Sequence, residues 1–285
     1  MIVRLALSLP HPFDLPFMQR ALMASLAVGV FAPLIGIFLV QKRMALFGDG
    51  IGHVAFAGVG AGAVAGVISE TWAALVFAIV GALGLEWLRS RRRASGDVAL
   101  ALLFYSGIAL GVVLLSAADG YDASLLGILF GQPLTVTDQE IWTIAGLGAS
   151  IVAVILAGRR ALFSVVTDED WSRTAGLPVG ALNAALAVLT ACAVVAAMRI
   201  VGILLVAALM VLPVASAQLV ARSFAGTMRW AVAIGIGSVV VGLTLSYTWD
   251  VAAGGMIVLV TASLFAVLAV VTRRAPRALR QEEHG

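Results

Sequence analysis

Long apolar stretches follow one another along almost the whole of this chain. A helix that crosses a membrane needs about 20 mostly apolar residues, and nine stretches approach or reach that length. They are 17–39, 50–68, 72–88, 98–118, 141–158, 179–198, 200–220, 230–249 and 251–272. Of the 285 residues, 62% are hydrophobic and 12% are charged, whereas roughly a quarter of a soluble domain is charged. We therefore predict an all-α, polytopic transmembrane helical bundle with about nine spans, in a range of eight to ten.

The apolar runs are too long and too unbroken for the alternating strands of a membrane barrel, which are roughly ten residues long. Thirty glycines favour helices that approach one another closely through small residues. We expect a single transmembrane permease domain over residues 1–285, with an interfacial lead-in at 1–16 and a cytoplasmic tail at 273–285. The third span is the weakest, since it carries Glu86, which we expect to pair with Arg89 one turn later.

The positions of the basic residues predict the orientation, because Lys and Arg near span ends are retained on the cytoplasmic side. If successive spans cross the membrane in turn, 15 of the 18 basic residues share one side. They are Lys42, Arg43, Arg89, Arg91, Arg92, Arg93, Arg159, Arg160, Arg173, Arg222, Arg229, Arg273, Arg274, Arg277 and Arg280. The other side holds Glu70, Asp119, Asp122, Asp138, Glu140 and Asp250, with Arg4, Arg20 and Arg199 as basic exceptions. We predict a multi-pass protein of the cytoplasmic membrane with its N-terminus outside and its C-terminus inside, and no nucleic-acid partner.

The sequence offers no site for ATP hydrolysis of the phosphate-loop type. Such a loop needs a lysine followed by Ser or Thr, and the sole lysine, Lys42, precedes Arg43. No motif indicates chemistry on a substrate either, so we expect a transport protein and not an enzyme. Transport would be driven by another subunit or by an ion gradient.

Asp49 and His53 stand four residues apart at the start of the second span. A continuing helix places the carboxylate and the imidazole on one face, and this pair of ligands suits divalent first-row metal ions. The alternative is that Asp49 is a helix N-cap and His53 an interior histidine. Ionisable residues inside a span are costly and usually mark a pathway, and a two-fold dimer would supply two Asp and two His around its axis.

Gly58, Gly62 and Gly66 recur every four residues directly after that pair. Such a ridge of small residues lets another helix pack closely. We interpret it as ordinary helix packing, with a role in dimerisation or in a pore as the less favoured alternative.

The stretch RRALFSVVTDEDWSRTAGLPVG, between the fifth and sixth spans, predicts a short amphipathic helix on the cytoplasmic side. Thr167 is a candidate cap, and Gly176 and Pro178 are stop signals. The acids Asp168, Glu169 and Asp170 and an exposed Trp171 would suit docking to a cytoplasmic partner, although a solvated connector is the simpler alternative.

Two further segments carry weaker signals. The seventh span contains Pro213, followed by Ala215, Ser216 and Ala217, and a proline kink frees backbone carbonyls that can line a pathway. Most such prolines are structural, so Pro213 and Ser216 are minor pathway candidates. The segment SLLGILFGQPLTV predicts a short external or re-entrant helix.

Four segments together are typical of one protein family: FGDGIGHVAFAGVGAG, SLLGILFG, TDEDWSRTAGLPV with its span, and RIVGILLVAALMVLPVASAQL, with YTWDVAAGGMIVLV as a weaker fifth. In these segments the chain resembles the membrane permease of ABC-type importers for zinc, manganese or iron. The order of these segments is the expected one and extends over nearly the whole chain. The GDGIGH form is most similar to the zinc branch. PVASA, where family members often have PAATA, and Ala252 to Gly254, where they often have Pro-Ser-Gly, are departures.

The resemblance implies that Asp49 and His53 meet the transported metal and that the segment from Asp168 to Gly176 docks on an ATPase subunit. It further implies a homodimer, two cytoplasmic ATP-binding subunits, an external metal-binding protein and no permanently bound cofactor. The expected cargo is zinc, with manganese or iron as alternatives. A secondary transporter driven by an ion gradient and an importer of metal chelates are the remaining alternatives; inverted repeats would favour the former, and none is clear in the sequence.

Overall fold

The protein is described by a computed structural model over residues 12–66, 69–90, 96–118, 123–203 and 205–274. In these ranges it is helical: α1 is Pro16–Gln41, α2 Phe47–Ala65, α3 Glu70–Ser90, α4 Gly96–Ala117, α5 Ala123–Phe130, α6 Asp138–Thr167, α7 Glu169–Thr174, α8 Val179–Val201, α9 Val206–Val220, α10 Phe224–Trp249 and α11 Ala253–Arg274. The all-α prediction is confirmed. Most of the lead-in, Asp119, Asp122, Arg91 to Arg93 and the tail beyond Arg274 lie outside the described residues.

Seven described helices are long and apolar enough to cross a membrane: α1, α3, α4, α6, α8, α10 and α11. The predicted nine spans are therefore more than the structure shows. The predicted seventh span, 200–220, contains Gly202, which is the C-cap of α8, and α9 then has only 15 residues. The second predicted span, α2, has 19 residues but includes Asp49, His53 and six glycines, which lower its hydropathy.

The two predicted spans that are not among these seven helices, α2 and α9, nevertheless lie centrally in the bundle. α1 and α8 are mostly buried, whereas α3, α4, α6 and α11 bury less than a third of their apolar segments. α2 and α9 pack between these two groups and bury Ile51, Val59, Leu209 and Met210. Large apolar side chains such as Leu102 and Leu259 remain exposed on the outer helices. This distribution fits a bundle surrounded by lipid, in which outward side chains are as apolar as inward ones.

Glycines at the helix crossings set how closely the buried helices approach. A β-carbon on Gly36 of α1 would lie 1.8 Å from the carbonyl oxygen of Met210 in α9. A β-carbon on Gly235 of α10 would lie 2.4 Å from the carbonyl oxygen of Gly29 in α1. Only a hydrogen in place of a side chain allows these backbones to meet.

The predicted short helix in SLLGILFGQPLTV is confirmed as α5. Its carboxyl end packs against the break between α8 and α9, where the Ile203 amide donates to the Ile128 carbonyl at 3.0 Å. β-carbons on Gly131 and Gly202 would each lie within 2.6 Å of backbone atoms of the opposite segment, and both glycines have positive φ, 77° and 91°. The break is therefore held by backbone contacts that other residues would disrupt.

Ion pairs and tryptophans distinguish two ends of the bundle. At one end, which we call the outer end, Arg199 of α8 contacts Glu140 of α6 at 2.6 Å. Exposed tryptophans lie at the helix ends there, Trp72, Trp142 and Trp249. At the opposite, inner end lie Lys42, Arg89 and Glu169, with exposed Trp87 and Trp230 nearby along α3 and α10. Tryptophans near both ends of spanning helices are typical of the two membrane interfaces.

We predict that Gly36→Ala destabilises the fold by about 1–3 kcal/mol, the usual range for overpacking a close contact. The added methyl group cannot fit against the Met210 carbonyl without moving α1 or α9. Thermal unfolding in detergent measures the effect, and Gly84→Ala in α3 is the matched control because a β-carbon there meets nothing within 4 Å. Equal midpoints for the two variants would contradict the prediction.

Candidate metal site and Glu169 cluster

Asp49 and His53 lie one turn apart on α2, as the spacing predicted. The His53 Nε2 atom is 3.9 Å from an Asp49 carboxylate oxygen. The N-cap position of α2 is Leu46, and Asp49 lies inside the first turn. The alternative that Asp49 is the N-cap is therefore wrong, because the helix begins at Phe47.

Neighbouring helices hold the pair from several sides. The ring of Phe104 in α4 packs edge-to-face with the His53 ring, with 4.2 Å between the two ring centroids. A β-carbon on Gly107 would lie 2.8 Å from the His53 backbone. On another side of α2, Gly48 faces the Met210 sulfur and Gly52 faces Ile203. Small residues thus bring α4 and the α8–α9 region against the segment of α2 that carries Asp49 and His53.

The two side chains differ in access. His53 is 8% exposed and Asp49 is 25% exposed. The Asp49 side chain lines a cavity of about 400 Å³ formed with Leu46, Leu100, Ala101, Phe104 and Tyr105. Leu46 and Tyr105 are about 70% exposed, so the cavity opens at the outside of a single chain.

A single chain would supply only part of a coordination shell for a metal ion. Among the residues that the structure describes, no group of three or more His, Cys, Asp and Glu side chains could hold a metal ion. A carboxylate and an imidazole are two ligands of the kind that first-row divalent ions accept. The pair can therefore contact an ion but needs further ligands to enclose it.

The glycine ridge after the pair packs against α3 of the same chain. β-carbons on Gly58 and Gly62 would lie 2.6 Å and 3.0 Å from the α-carbons of Ala74 and Glu70 in α3. Helix packing, the favoured interpretation, is confirmed for these two positions. Gly66 differs, since it is the C-cap of α2 with φ of 62°.

The minor pathway candidates lie in α9. Pro213 is inside the helix and buried. The Ser216 hydroxyl donates to the Leu212 carbonyl of the same helix at 2.8 Å. A pathway role for Pro213 and Ser216 stays a prediction.

The predicted amphipathic helix is present as α7, with one correction at its start. Asp168, and not Thr167, is the N-cap, and its carboxylate accepts from the Trp171 amide at 2.9 Å. Thr167 is the last residue of α6. The helix stops before Gly176, whose φ is 80°. Asp170 is exposed and Trp171 is 61% exposed, so both can reach a partner.

Glu169 behaves differently from its neighbours, because its carboxylate is turned into the protein. One oxygen, Oε1, accepts from Lys42 at 2.9 Å, from Arg89 at 3.1 Å and from Asn183 at 3.1 Å. Lys42 also donates to the Asn183 side chain at 2.7 Å, and Arg89 forms the predicted pair with Glu86. We call Lys42, Glu86, Arg89, Glu169 and Asn183 the Glu169 cluster.

Within the Glu169 cluster, the surroundings shift the pKa of both Glu169 and Lys42. Burial alone would raise the pKa of Glu169, but hydrogen bonds and charge from Lys42 and Arg89 outweigh it and hold the pKa at about 2. Burial lowers the pKa of Lys42, and the Arg89 charge adds to that effect against the hydrogen bond with Glu169. Sequence reasoning did not find Lys42 and Asn183 as partners; the only signals were a lone lysine directly after an apolar span and an asparagine within another.

Two of the three basic residues that the sequence placed on the acidic side have acidic partners. Arg199 pairs with Glu140, and Arg20 lies 3.9 Å from Asp138. The third, Arg4, is outside the described residues. The outer end therefore has little unpaired positive charge among the described residues.

We predict that Glu169→Gln lowers the thermal unfolding midpoint by a constant amount between pH 8 and pH 5. The folded-state pKa of about 2 is below the ordinary 4.5, so the stabilisation is present above pH 4.5 and is lost as the pH falls toward 2. The difference between wild type and variant should then shrink from pH 4.5 to pH 3. A difference that stays constant or grows in acid would contradict the assignment.

Known proteins are similar to this chain in sequence and in fold over most of its length. The manganese transport system membrane protein MntC of Halalkalibacterium halodurans is 33% identical over 88% of this chain and 86% of its own length. The manganese import system permease protein ScaB of Streptococcus gordonii is 32% identical over 89% of this chain and 91% of its own. Both names specify manganese, so they do not specifically support the zinc predicted from GDGIGH.

A solved structure agrees in fold as well as in sequence. A chain of PsaBC from Streptococcus pneumoniae in complex with Fab superposes with a TM-score of 0.81 at 31% identity, over 90% of this chain and 91% of that chain. Residues 14–272 match the ABC 3 transport family, which is nearly every residue from α1 to α11. This chain belongs to the ABC 3 transport family.

Proposed function

We propose that this chain is the permease subunit of an ATP-driven importer that moves a divalent metal ion across the cytoplasmic membrane. The observation that carries the proposal is the Asp49–His53 pair, with its two side chains 3.9 Å apart on a helix packed centrally in the bundle. Charged and imidazole groups at such a place are costly and usually mark a transport pathway. Membership of a transport family favours this reading over an ion-gradient carrier of another class.

Manganese is the ion that we propose first. Two relatives at 32–33% identity are named for manganese. Carboxylate ligands suit manganese, while imidazole suits zinc and iron as well. Zinc, favoured by the GDGIGH motif, and iron are the alternatives that an uptake measurement distinguishes.

A homodimer would complete the ligand set. Each protomer offers Asp49 and His53, so two copies around an axis would offer two carboxylates and two imidazoles. The cavity beside Asp49 opens between the exposed Leu46 and Tyr105, which is where a second copy could approach. Four ligands of moderate strength can hold an ion briefly and still release it.

The energy would come from two copies of a cytoplasmic ATP-binding subunit, since this chain lacks a phosphate-binding loop of its own. The exposed Trp171, with Asp168, Asp170 and Gly176 beside it, would form the docking surface. Aromatic side chains that remain exposed on a short polar helix are typical anchors of protein interfaces. An extracytoplasmic metal-binding protein would deliver the ion, and no permanent cofactor is required.

This docking surface lies at the inner end of the bundle, with Lys42 and Arg89. The excess of basic residues that follows the same spans in the sequence favours placing this end in the cytoplasm. The N-terminus would then be outside and the C-terminus inside. A reporter fused after Gly285 that was found extracytoplasmic would overturn this orientation.

We predict that Asp49→Ala and His53→Ala each reduce metal uptake at least about tenfold, because each removes a ligand from both protomers. Uptake of radiolabelled manganese into proteoliposomes or whole cells, in competition with zinc and iron, measures both the loss and the preferred ion. Ser106→Ala in α4 is the matched control, since the Ser106 hydroxyl donates to the Leu102 carbonyl of its own helix. Wild-type uptake in both ligand variants would refute the metal site.

We predict that Trp171→Ala reduces the amount of ATP-binding subunit that co-purifies with the permease by about tenfold or more, as loss of a buried interface anchor does. Trp230→Ala is the matched control, because Trp230 is also exposed but lies on the membrane helix α10. Undiminished co-purification of the Trp171 variant would count against docking through α7.

A further inference from the structure

The Glu169 carboxylate joins α7 to three other parts of the bundle. Its Oε1 atom accepts from Lys42 after α1, from Arg89 at the end of α3 and from Asn183 in α8. Its second oxygen lies 3.9 Å from Arg173 of α7 itself. A six-residue helix is thus tied to α1, α3 and α8 through the Glu169 side chain, while the Ser172 hydroxyl lies 2.9 Å from that of Ser164 in α6.

Burial and charge make this tie firm. The Lys42 side chain is 6% exposed and the Glu86 side chain 12% exposed. Lys42 and Arg89 balance Glu86 and Glu169, so the cluster has two positive and two negative charges. Removing one charge would leave a partly buried charge without its partner, which is strongly unfavourable. Glu169 therefore has little freedom to leave the cluster for a contact with another protein.

Lys42 links the cluster to the helix that carries the metal ligands. It is the C-cap of α1, and only residues 43–46 separate it from α2. This connection is compact: the Met44 amide donates to the Leu39 carbonyl at 2.8 Å, and the Phe47 amide donates to the Met44 carbonyl at 3.0 Å. Arg43 has a φ of 58°, a strained backbone for a residue other than glycine. A displacement of Lys42 must therefore reach the first turn of α2, where Asp49 lies.

We propose that Glu169 is a positioning residue that transmits displacement of α7, through Lys42, to the start of α2, and that it does not contact the ATP-binding subunit. The proposal rests on the proposed function, in which α7 docks on that subunit. It divides α7 into two parts: Trp171 faces the partner, and Glu169 connects the helix to the metal pathway. Loss of Glu169 then uncouples ATP hydrolysis from transport without removing the partner.

The test uses the permease co-expressed with its ATP-binding subunit and reconstituted into proteoliposomes. Three quantities are measured: the co-purified subunit, the rate of ATP hydrolysis, and manganese taken up per ATP hydrolysed. For Glu169→Gln and Lys42→Met we expect co-purification within twofold of wild type and hydrolysis within about threefold, but uptake per ATP at least fivefold lower. The double variant should be no worse than the more severe single variant, because residues that act through each other are not additive.

Thr174→Ala is the matched control on α7, because Thr174 is exposed and its hydroxyl donates to the Trp171 carbonyl of the same helix; it should keep the wild-type ratio. Asn183→Ala removes one donor to Glu169 without leaving an unpaired charge. It keeps the test decisive if a charge variant fails to fold, and we expect at least a twofold lower uptake per ATP.

Two results would overturn the proposal. One is uptake per ATP within twofold of wild type in a folded Glu169→Gln or Asn183→Ala protein. The other is loss of the co-purified subunit in Glu169→Gln as severe as in Trp171→Ala, which would make Glu169 a docking contact. Intact complexes of the Trp171→Ala variant would instead refute docking through Trp171, which belongs to the proposed function, and uptake per ATP would still decide the role of Glu169.

Discussion

Close approach of helix backbones through glycine underlies the arrangement of this protein. In lipid, apolar side chains gain little by turning inward, so helices associate through dense packing and interhelical contacts. The crossings at Gly36 with Met210 and at Gly235 with Gly29 leave no room for a methyl group. The same applies at Gly107, which brings α4 against the backbone of His53. The positions of Asp49 and His53 therefore depend on where the neighbouring helices lack side chains.

Most charged groups in the described part of the chain lie at the two ends of the bundle, and many of them are paired. Arg199 with Glu140 marks the outer end, and Lys42 with Glu169 marks the inner end. Asp49 and His53 are the exception, because they lie in the helical part of α2 beside a cavity that a single chain does not close. An exception of this kind is expected where an ion must leave water and cross the membrane.

The Asp49–His53 pair and the Glu169 cluster are close along the chain. Lys42 belongs to the Glu169 cluster, and Asp49 follows only seven residues later in the sequence. Under the proposed function, this short connection would carry a displacement of α7 to the start of α2, because packed elements move as units. The four-residue connection 43–46, with its positive φ at Arg43, is too compact to absorb such a movement by itself.

The sequence by itself determined the fold class, the Asp49–His53 spacing, the short helices at SLLGILFG and after Asp168, and the Glu86–Arg89 pair, because apolar length, helical periodicity and capping are local properties. The number of spans predicted from the sequence was too high for two reasons. The apolar composition continues through Gly202, where the backbone leaves the helix. In α2, Asp49, His53 and the glycines lower the hydropathy, although the helix is largely buried within the bundle. Only the tertiary structure decided that Glu169 faces Lys42, Arg89 and Asn183 while Trp171 faces outward. The physical reason is that these partners come from segments as many as 141 residues apart in sequence, and packing of whole helices, not any local pattern, brings them to one carboxylate.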